Sequence, residues 1–315
     1  MPAPLFLSAV VPCYNEVSGL PELYRRLKAA CATVGQPYEI VLINDGSKDA
    51  TWAKIRELTA SDETVVGVNL SRNHGHQLAL SAGLSLCRGE FILIIDADLQ
   101  DPPELLSAML QKMEEGADVV YGQRMSRKGE TWFKKTTASA FYRLLNYLSD
   151  IDIPRDTGDF RLMRRNVLNA LLSMPEQSRF IRGMVTWLGF RQVPLPYHRD
   201  ERFAGETHYP LRKMLKLAID AVTSFSIRPL RMATYFGLIV GSLTVLYALY
   251  LFISWALGGH VVAGWLSLML VVLFIGSAQF VVMGVLGEYI GRIYIESKRR
   301  PLFLIQEVIG RSTAK

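Results

Sequence analysis

A chain of 315 residues is long enough for one large domain and an appendage. It is 50% hydrophobic with a mean hydropathy of +0.18, high for a purely soluble protein, and the apolar excess is gathered between Met232 and Gly287. The net charge is +6, but the basic residues lie near the apolar segments and no RNA- or DNA-binding signature occurs, so a membrane surface is favoured over nucleic acid.

The first 125 residues alternate between strand and helix signals. Leu7–Pro12, Glu39–Ile43, Val65–Leu70, Phe91–Ile95 and Val119–Tyr121 read as strands. Between them, Leu20–Val34, Thr51–Thr59, Gln77–Leu86 and Pro103–Glu115 read as helices. This order predicts an α/β domain with a mainly parallel sheet, whose strands are apolar throughout because both faces are covered. No G-x-G-x-x-G follows the first strand and no G-x-x-x-x-G-K-[ST] occurs, which removes support for dinucleotide-binding and P-loop folds. From about Lys134 to Gly189 the pattern is helical and basic, and Gln192–Tyr197 reads as a short strand. After the polar loop Arg202–Tyr209, the segment Leu211–Ile227 sets an apolar stripe against Arg212, Lys213 and Lys216, as in a helix lying in a membrane interface.

Met232–Leu257 and Val261–Gly287 carry no charge, and each exceeds the ~20 residues that cross the hydrocarbon layer as a helix. The link Gly258-Gly259-His260 allows only a tight hairpin. Basic residues flank its outer ends: Arg228 and Arg231 before, Arg292, Lys298, Arg299 and Arg300 after. The positive-inside rule then predicts both termini and the α/β domain on the cytoplasmic side. Glu288, at the end of the second span, is expected to pair with Arg292 one turn on. Cys13, Cys31 and Cys87 are odd in number and lack metal or disulfide spacing, which fits a reducing compartment. The first residues lack a basic flank and an apolar core, so no signal peptide is expected. The predicted boundaries are an α/β domain over 1–208, an interfacial helix over 209–231, two spans over 232–290 and a tail over 291–315.

Chemistry concentrates where strands end. Asp96-Ala97-Asp98 closes the apolar run Phe91–Ile95 and is followed by a Pro-Pro pair that starts a helix. Two carboxylates at the carboxyl edge of a parallel sheet are placed where such sheets bind ligands. Their hard oxygens suit Mg²⁺ or Mn²⁺ held against a diphosphate. The first strand runs into Cys13-Tyr14-Asn15-Glu16, where Tyr14 can lie against a base and Glu16 can accept from it. The same residues also suit a plain strand-to-helix turn capped by Asn15. The second strand ends in Asn44-Asp45-Gly46-Ser47 and adds a further acid to the edge, beside a glycine that permits close backbone approach. His74 and His76 have spacing that invites a metal, but no third soft ligand is evident, and a loop packed beside the pocket is expected.

Together, Val11-Pro12-Cys13-Tyr14-Asn15-Glu16, Asn44-Asp45-Gly46-Ser47 and Asp96-Ala97-Asp98-Leu99-Gln100-Asp101-Pro102 resemble glycosyltransferase family 2, with its GT-A nucleotide-sugar fold. Thr157-Gly158-Asp159-Phe160-Arg161-Leu162-Met163 and Gly287-Glu288-Tyr289-Ile290-Gly291-Arg292 narrow the resemblance to polyprenyl-phosphate glycosyltransferases of the bactoprenol glucosyltransferase type. The resemblance implies that Pro12, Tyr14, Asn15, Glu16, Asp45, Asp96 and Ala97 bind a nucleotide-sugar donor. It implies that Asp96, Asp98 and Gln100 serve a Mg²⁺ or Mn²⁺ ion, and that Asp159 occupies the position of the candidate base. A phosphate nucleophile is already largely ionised at neutral pH, with a second pKa near ~6, so Asp159 is expected to orient the acceptor or stabilise charge rather than take a proton. In the related dolichol-phosphate mannose synthases, regions matching Arg124, Arg127, Lys134, Lys135, Ser139 and Arg202 supply the acceptor-phosphate site. The implied reaction is inverting transfer of a hexose, with UDP-glucose favoured, to undecaprenyl or a similar polyprenyl phosphate in the bacterial inner membrane. GDP-mannose, UDP-N-acetylhexosamine and an aminoarabinose donor fit the same strand-end motifs. The lack of a Q-x-x-R-W run disfavours a processive polysaccharide synthase. A non-catalytic scaffold or flippase subunit is disfavoured by the intact acids. The spans leave room for homo-oligomerisation.

Overall fold

The computed structural model describes residues 5–125, 157–198, 228–257 and 264–310. The chain divides into two units, the first holding residues 1–143, 151–214 and 300–315, the second 144–150 and 215–299.

The first unit is built on one eight-stranded sheet. Its strands are β1 (Leu7–Cys13), β2 (Tyr38–Asn44), β3 (Val65–Leu70), β4 (Phe91–Ile94), β5 (Val119–Arg124), β6 (Thr157–Arg164), β7 (Gln192–Tyr197) and β8 (Ile305–Ile309), in the order β7-β5-β6-β4-β1-β2-β3-β8. The helices between them are α1 (Leu20–Thr33), α2 (Thr51–Ser61), α3 (His76–Leu86), α4 (Leu106–Glu114), α5 (Arg165–Ser173) and α6 (Ile181–Trp187). β1 and β2 are buried along nearly their whole length, which explains their unbroken apolar sequence. Leu7, Val11, Leu23, Leu27, Ile40, Leu42, Leu93, Leu106 and Met109 belong to the core cluster.

The elements of the first 125 residues agree with the sequence expectation, but the sheet is mixed rather than mainly parallel. Four strand pairs are parallel and three are antiparallel. The difference has two sources. Thr157–Arg164, read as part of a helical basic region, is strand β6, inserted antiparallel between β4 and β5. Its Asp159 and Arg161 are charged yet buried, and they offset each other, so the strand lacks the apolar run that marks its neighbours. The C-terminal tail contributes β8, which pairs antiparallel with β3; Ser71 N–H also donates to the Leu304 carbonyl at 2.9 Å. Gly67 makes this edge possible, because a Cβ there would stand 2.8 Å from both Ile55 and Ile309 side-chain carbons.

The second unit contains α7 (Arg228–Ala256) and α8 (Trp265–Ser297), which contact each other. Both are long and apolar enough to cross a membrane, over Leu230–Ser254 and Val271–Ser297. Their side chains, Leu238, Leu246, Phe252, Phe274 and Phe280 among them, are largely exposed, as expected of helices whose solvent is lipid. The second helix continues past the predicted end of the span to Ser297, and Arg292 pairs with Glu288 at 3.3 Å. The link 258–260 and the expected interfacial helix Leu211–Ile227 lie outside the described residues.

Candidate active site

Sheet polarity decides which residues share an edge. β1, β2, β3 and β4 are parallel, so Cys13, Asn44, Leu70 and Ile94 end at one rim. β6 runs the other way and enters at that rim. Ile94 lies opposite Arg161 in the β4–β6 ladder; carrying this register two residues on sets Asp96 across from Asp159. β5 and β7 are parallel to β4, which brings Arg124 and Tyr197 to the same rim.

His76, the first residue of α3, stands between the two acids. Its Nε2 is 3.4 Å from Asp96 Oδ1 and 3.3 Å from Asp159 Oδ2. Burial would lower its pKa, but the bond to Asp159 and the charges of Asp96, Asp159 and Asp45 push it up to about 9, so His76 is an imidazolium at neutral pH. The sequence reading placed this histidine in a loop beside the pocket; the structure makes it a charged member of the site.

Asp159 is buried, and each of its oxygens faces a cation. Arg182 is 3.5 Å and Arg161 3.9 Å from Oδ1, while Gln77 Nε2 donates to Oδ2 at 2.7 Å. Burial alone would raise its pKa; the His76 bond and the two guanidinium charges outweigh that and hold the carboxyl well below its usual range. Arg164, at the end of the same strand, reaches Asp118 at 3.9 Å instead. Arg161 is buried beneath the site and donates to the carbonyls of Gly158 and Asp159, and burial pushes its guanidinium down to about 10.

Asp96 is shifted in the opposite direction. Burial pushes its carboxyl up to about 6; the His76 charge lowers it, and the charges of Asp159, Asp101 and Asp98 raise it. Its Oδ1 is buried without a hydrogen-bond partner among the described residues. Asp98 Oδ1 accepts from Gln100 N–H at 3.2 Å, which folds the Asp96–Asp101 turn back on itself around Leu99 at φ 60°. A buried oxygen with spare acceptor capacity amid crowded acids fits a divalent cation. Among the described residues no group of three or more His, Cys, Asp and Glu could hold a metal unaided. The residues therefore fit an ion that Asp96 and Asp98 would share with substrate phosphates, the usual arrangement for Mg²⁺.

The expected donor side is a set of interlocked loops. Asn15, at φ 55°, donates its N–H to Ser47 Oγ at 3.0 Å, and its Oδ1 accepts from Lys48 N–H at 2.8 Å. Glu16 N–H donates to Thr51 Oγ1 at 2.9 Å. Pro12 is buried in β1, paired with Ile43, and Tyr14, just past the end of that strand, is 42% exposed. A Cβ on Gly19 would stand 3.8 Å from the Ala97 carbonyl and 3.9 Å from Glu16 Oε2, so the first and fourth strand-end loops converge. Asp45 is buried and accepts from His74 N–H at 2.7 Å and Gly75 N–H at 3.0 Å. Burial raises its pKa against those two bonds. It thus pins the loop that launches α3 and its His76. Gly46, at φ 62°, lets this happen: a Cβ there would clash with the Asn73 amide nitrogen.

Arg124 is the described member of the expected acceptor set. Its Nε donates to Tyr197 Oη at 3.3 Å and it lies 3.8 Å from Asp101, which also accepts the Tyr197 hydroxyl. Arg127, Lys134, Lys135, Ser139 and Arg202 lie outside the described residues. Sequence reasoning missed His76, Gln77, Arg182, Tyr197 and Asp101 as parts of the site. Asp101 carried a signal in its place in the run after Asp96, and His76 in its spacing from His74; Gln77, Arg182 and Tyr197 carried none.

A model of glycosyl transferase family 2 matches residues 8–172, and one of the GtrB C-terminal hairpin matches 228–293. The uncharacterized glycosyltransferase YkcC of Bacillus subtilis (strain 168) is 47% identical over 96% of this chain and 94% of its own. The prophage bactoprenol glucosyl transferase homolog of Escherichia coli (strain K12) is 41% identical over 96% and 99%, and the bactoprenol glucosyl transferase of Shigella phage SfV 42% over 95% and 98%. Among solved structures, glucosyl-3-phosphoglycerate synthase from Mycobacterium tuberculosis is similar at 19% identity and a TM-score of 0.45, over 70% of this chain and 78% of that one. An α/β rim of strand-end acids followed by an apolar hairpin, matched by family models over both parts, makes this chain a membrane-associated glycosyltransferase that belongs to glycosyltransferase family 2.

Proposed function

We propose that the protein transfers a hexose, glucose from UDP-glucose being favoured, to undecaprenyl or a similar polyprenyl phosphate, with inversion at the anomeric carbon. The observation that carries this reading is the pairing of Asp96 and Asp159 across one sheet rim with the His76 imidazolium between them. The glucosyl and polyprenyl parts are supported by relatives above 40% identity that are named bactoprenol glucosyl transferase.

In the proposed step a phosphate oxygen of the acceptor attacks the anomeric carbon. A carbon–oxygen bond forms as the bond to the donor diphosphate breaks, and the electron pair leaves on the nucleoside diphosphate. No proton need move, because the acceptor phosphate is largely ionised at neutral pH. Asp159, held ionised by its cations, acts by orientation and by charge opposite the developing oxocarbenium ion. Asp96 and Asp98, with Gln100 beside them, would hold Mg²⁺ or Mn²⁺ on the donor diphosphate; such an ion neutralises charge on the leaving group. Tyr14 and Glu16 would take the base, and Asp45 would share its carboxylate between the 74–75 amides and the ribose. Arg124, steadied by Tyr197, is suited to the acceptor phosphate, and Arg127, Lys134, Lys135, Ser139 and Arg202 are proposed to complete that site. The hairpin would span the bacterial inner membrane twice, with both termini cytoplasmic.

The test is to supply the purified protein in detergent with undecaprenyl phosphate and a panel of nucleotide sugars, with and without EDTA. The expected product, identified by mass, is a lipid phosphohexose formed from UDP-glucose and lost on chelation. Transfer from GDP-mannose alone would overturn the donor assignment, and full activity in EDTA would overturn the metal.

A further inference from the structure

Gln77 follows His76 in α3 and belongs to none of the strand-end motifs. Its side-chain amide nevertheless joins three elements. Nε2 donates to Asp159 Oδ2 on β6 at 2.7 Å, and Oε1 accepts from Ile181 N–H at 2.9 Å. The first of these is shorter than the His76, Arg182 and Arg161 approaches to the same carboxylate, at 3.3, 3.5 and 3.9 Å. Only one orientation of the amide serves both partners, since the carboxylate can only accept and the N–H can only donate.

The second bond has a consequence of its own. Ile181 opens α6, whose cap residue, Phe180, supplies no side-chain acceptor to the leading N–H groups. Gln77 provides one from α3. The next residue, Arg182, is the one whose guanidinium faces Asp159 Oδ1. A single amide therefore fixes one oxygen of the carboxylate directly and the helix bearing the cation on the other oxygen. Packing alone would leave Asp159 free to turn about its last torsion, a broad two-fold well.

We infer that Gln77 is a positioning residue for glycosyl transfer: its amide sets the orientation of Asp159 and the register of α6 against it. The inference builds on the reading that Asp159 faces the reacting atoms. Misorientation of such a group by a fraction of an ångström lowers turnover more than binding.

Gln77→Met keeps the length and removes both bonds; it is expected to lower kcat ~10- to 100-fold with the donor KM within ~3-fold. Gln77→Glu retains the acceptor for Ile181 N–H but loses the donor to Asp159, and is expected to stay as slow. In an Asp159→Ala background, adding Gln77→Met should change the residual rate by less than ~3-fold, because the two act as one unit. A Gln77→Met enzyme within ~2-fold of wild type, recovery of the rate in Gln77→Glu, or losses that multiply in the double variant would each overturn the inference in favour of a helix latch alone. Donor hydrolysis in the absence of lipid is measured on the same variants. If the wild type hydrolyses donor but glycosylates no polyprenyl phosphate, the proposed acceptor is wrong, and the order of hydrolysis rates still decides the role of Gln77.

Discussion

His76, Asp96 and Asp159 show why residue identity alone is a poor guide to charge state. The two acids share a rim and one imidazolium, yet one titrates far lower than the other. Asp159 has two guanidinium groups and an amide in addition to His76; Asp96 has other carboxylates. The direction of each shift follows from that count. A carboxyl held below its ordinary range stays charged across the neutral region, so Asp159→Asn is expected to reduce kcat by ~100-fold without removing the acidic limb of the pH–rate profile, while His76, losing that partner, titrates at lower pH. A limb of the profile that disappears in the variant would show a titrating base. For Asp98→Ala the expectation is a loss of ~100-fold or more in turnover with an unchanged far-ultraviolet spectrum and melting temperature, read by circular dichroism. Asp98 braces the turn after β4 and lies outside the core, so its loss should be felt in the proposed cation site and not in the fold. The sequence identified Asp98 from its place at a strand end, and Asp159 only through the resemblance to glycosyltransferase family 2. It had no means of finding Gln77 or Arg182, which lie on helices and reach Asp159 across long stretches of chain.

Elements of this fold are joined by polar staples as well as by the apolar core. Asp62 follows α2, where its N–H donates to the Leu58 carbonyl; its carboxylate accepts from Tyr24 Oη and Lys28 Nζ of α1 at 2.6 Å each, and from Thr64 N–H at 2.9 Å. Burial would raise its pKa, but the Lys28, Tyr24 and Thr64 bonds win and hold it below the usual range. A lowered folded pKa stabilises the fold above the unfolded value, near ~3.9, and that contribution is lost as pH falls through the folded one. Asp62→Asn is therefore expected to cost about 1–2 kcal/mol at pH 7, mostly in hydrogen bonds because Lys28 is half-exposed. Thermal melts should show the gap to wild type closing below pH ~4. β8 offers a second test. Gly67→Val would drive a branched side chain between Ile55 and Ile309, and is expected to cost about 1–3 kcal/mol and to raise amide exchange across Ile305–Ile309. Strands β1 to β4 were legible because they are apolar throughout. β6 was not, since its Asp159 and Arg161 look like solvent-facing charges until their mutual neutralisation is visible.

At the scale of the whole molecule, a soluble sheet and an apolar hairpin are encoded in separate stretches of sequence, with β8 as the exception that brings the C-terminal residues back to the sheet. The apolar side chains of α7 and α8 are largely exposed, as those of lipid-facing helices are. The basic residues outside the hairpin ends lead to one prediction about orientation. A unique cysteine at Gly259, in a variant whose Cys13, Cys31 and Cys87 are replaced by alanine, should react with an impermeant maleimide added to intact cells. One at Lys298 should react only after lysis. The reverse pattern would place the catalytic unit on the outer side. Composition and periodicity by themselves determined the α/β class, the two long apolar helices and the acids at strand ends, because burial on both sheet faces and uninterrupted apolar runs leave patterns readable along a linear chain. Tertiary structure alone decided the antiparallel entry of β6, the return of β8, and the ring of His76, Gln77, Arg161 and Arg182 around Asp159. Those depend on which strand edges pair and on charges compensated through space, and neither leaves a periodic trace in the sequence.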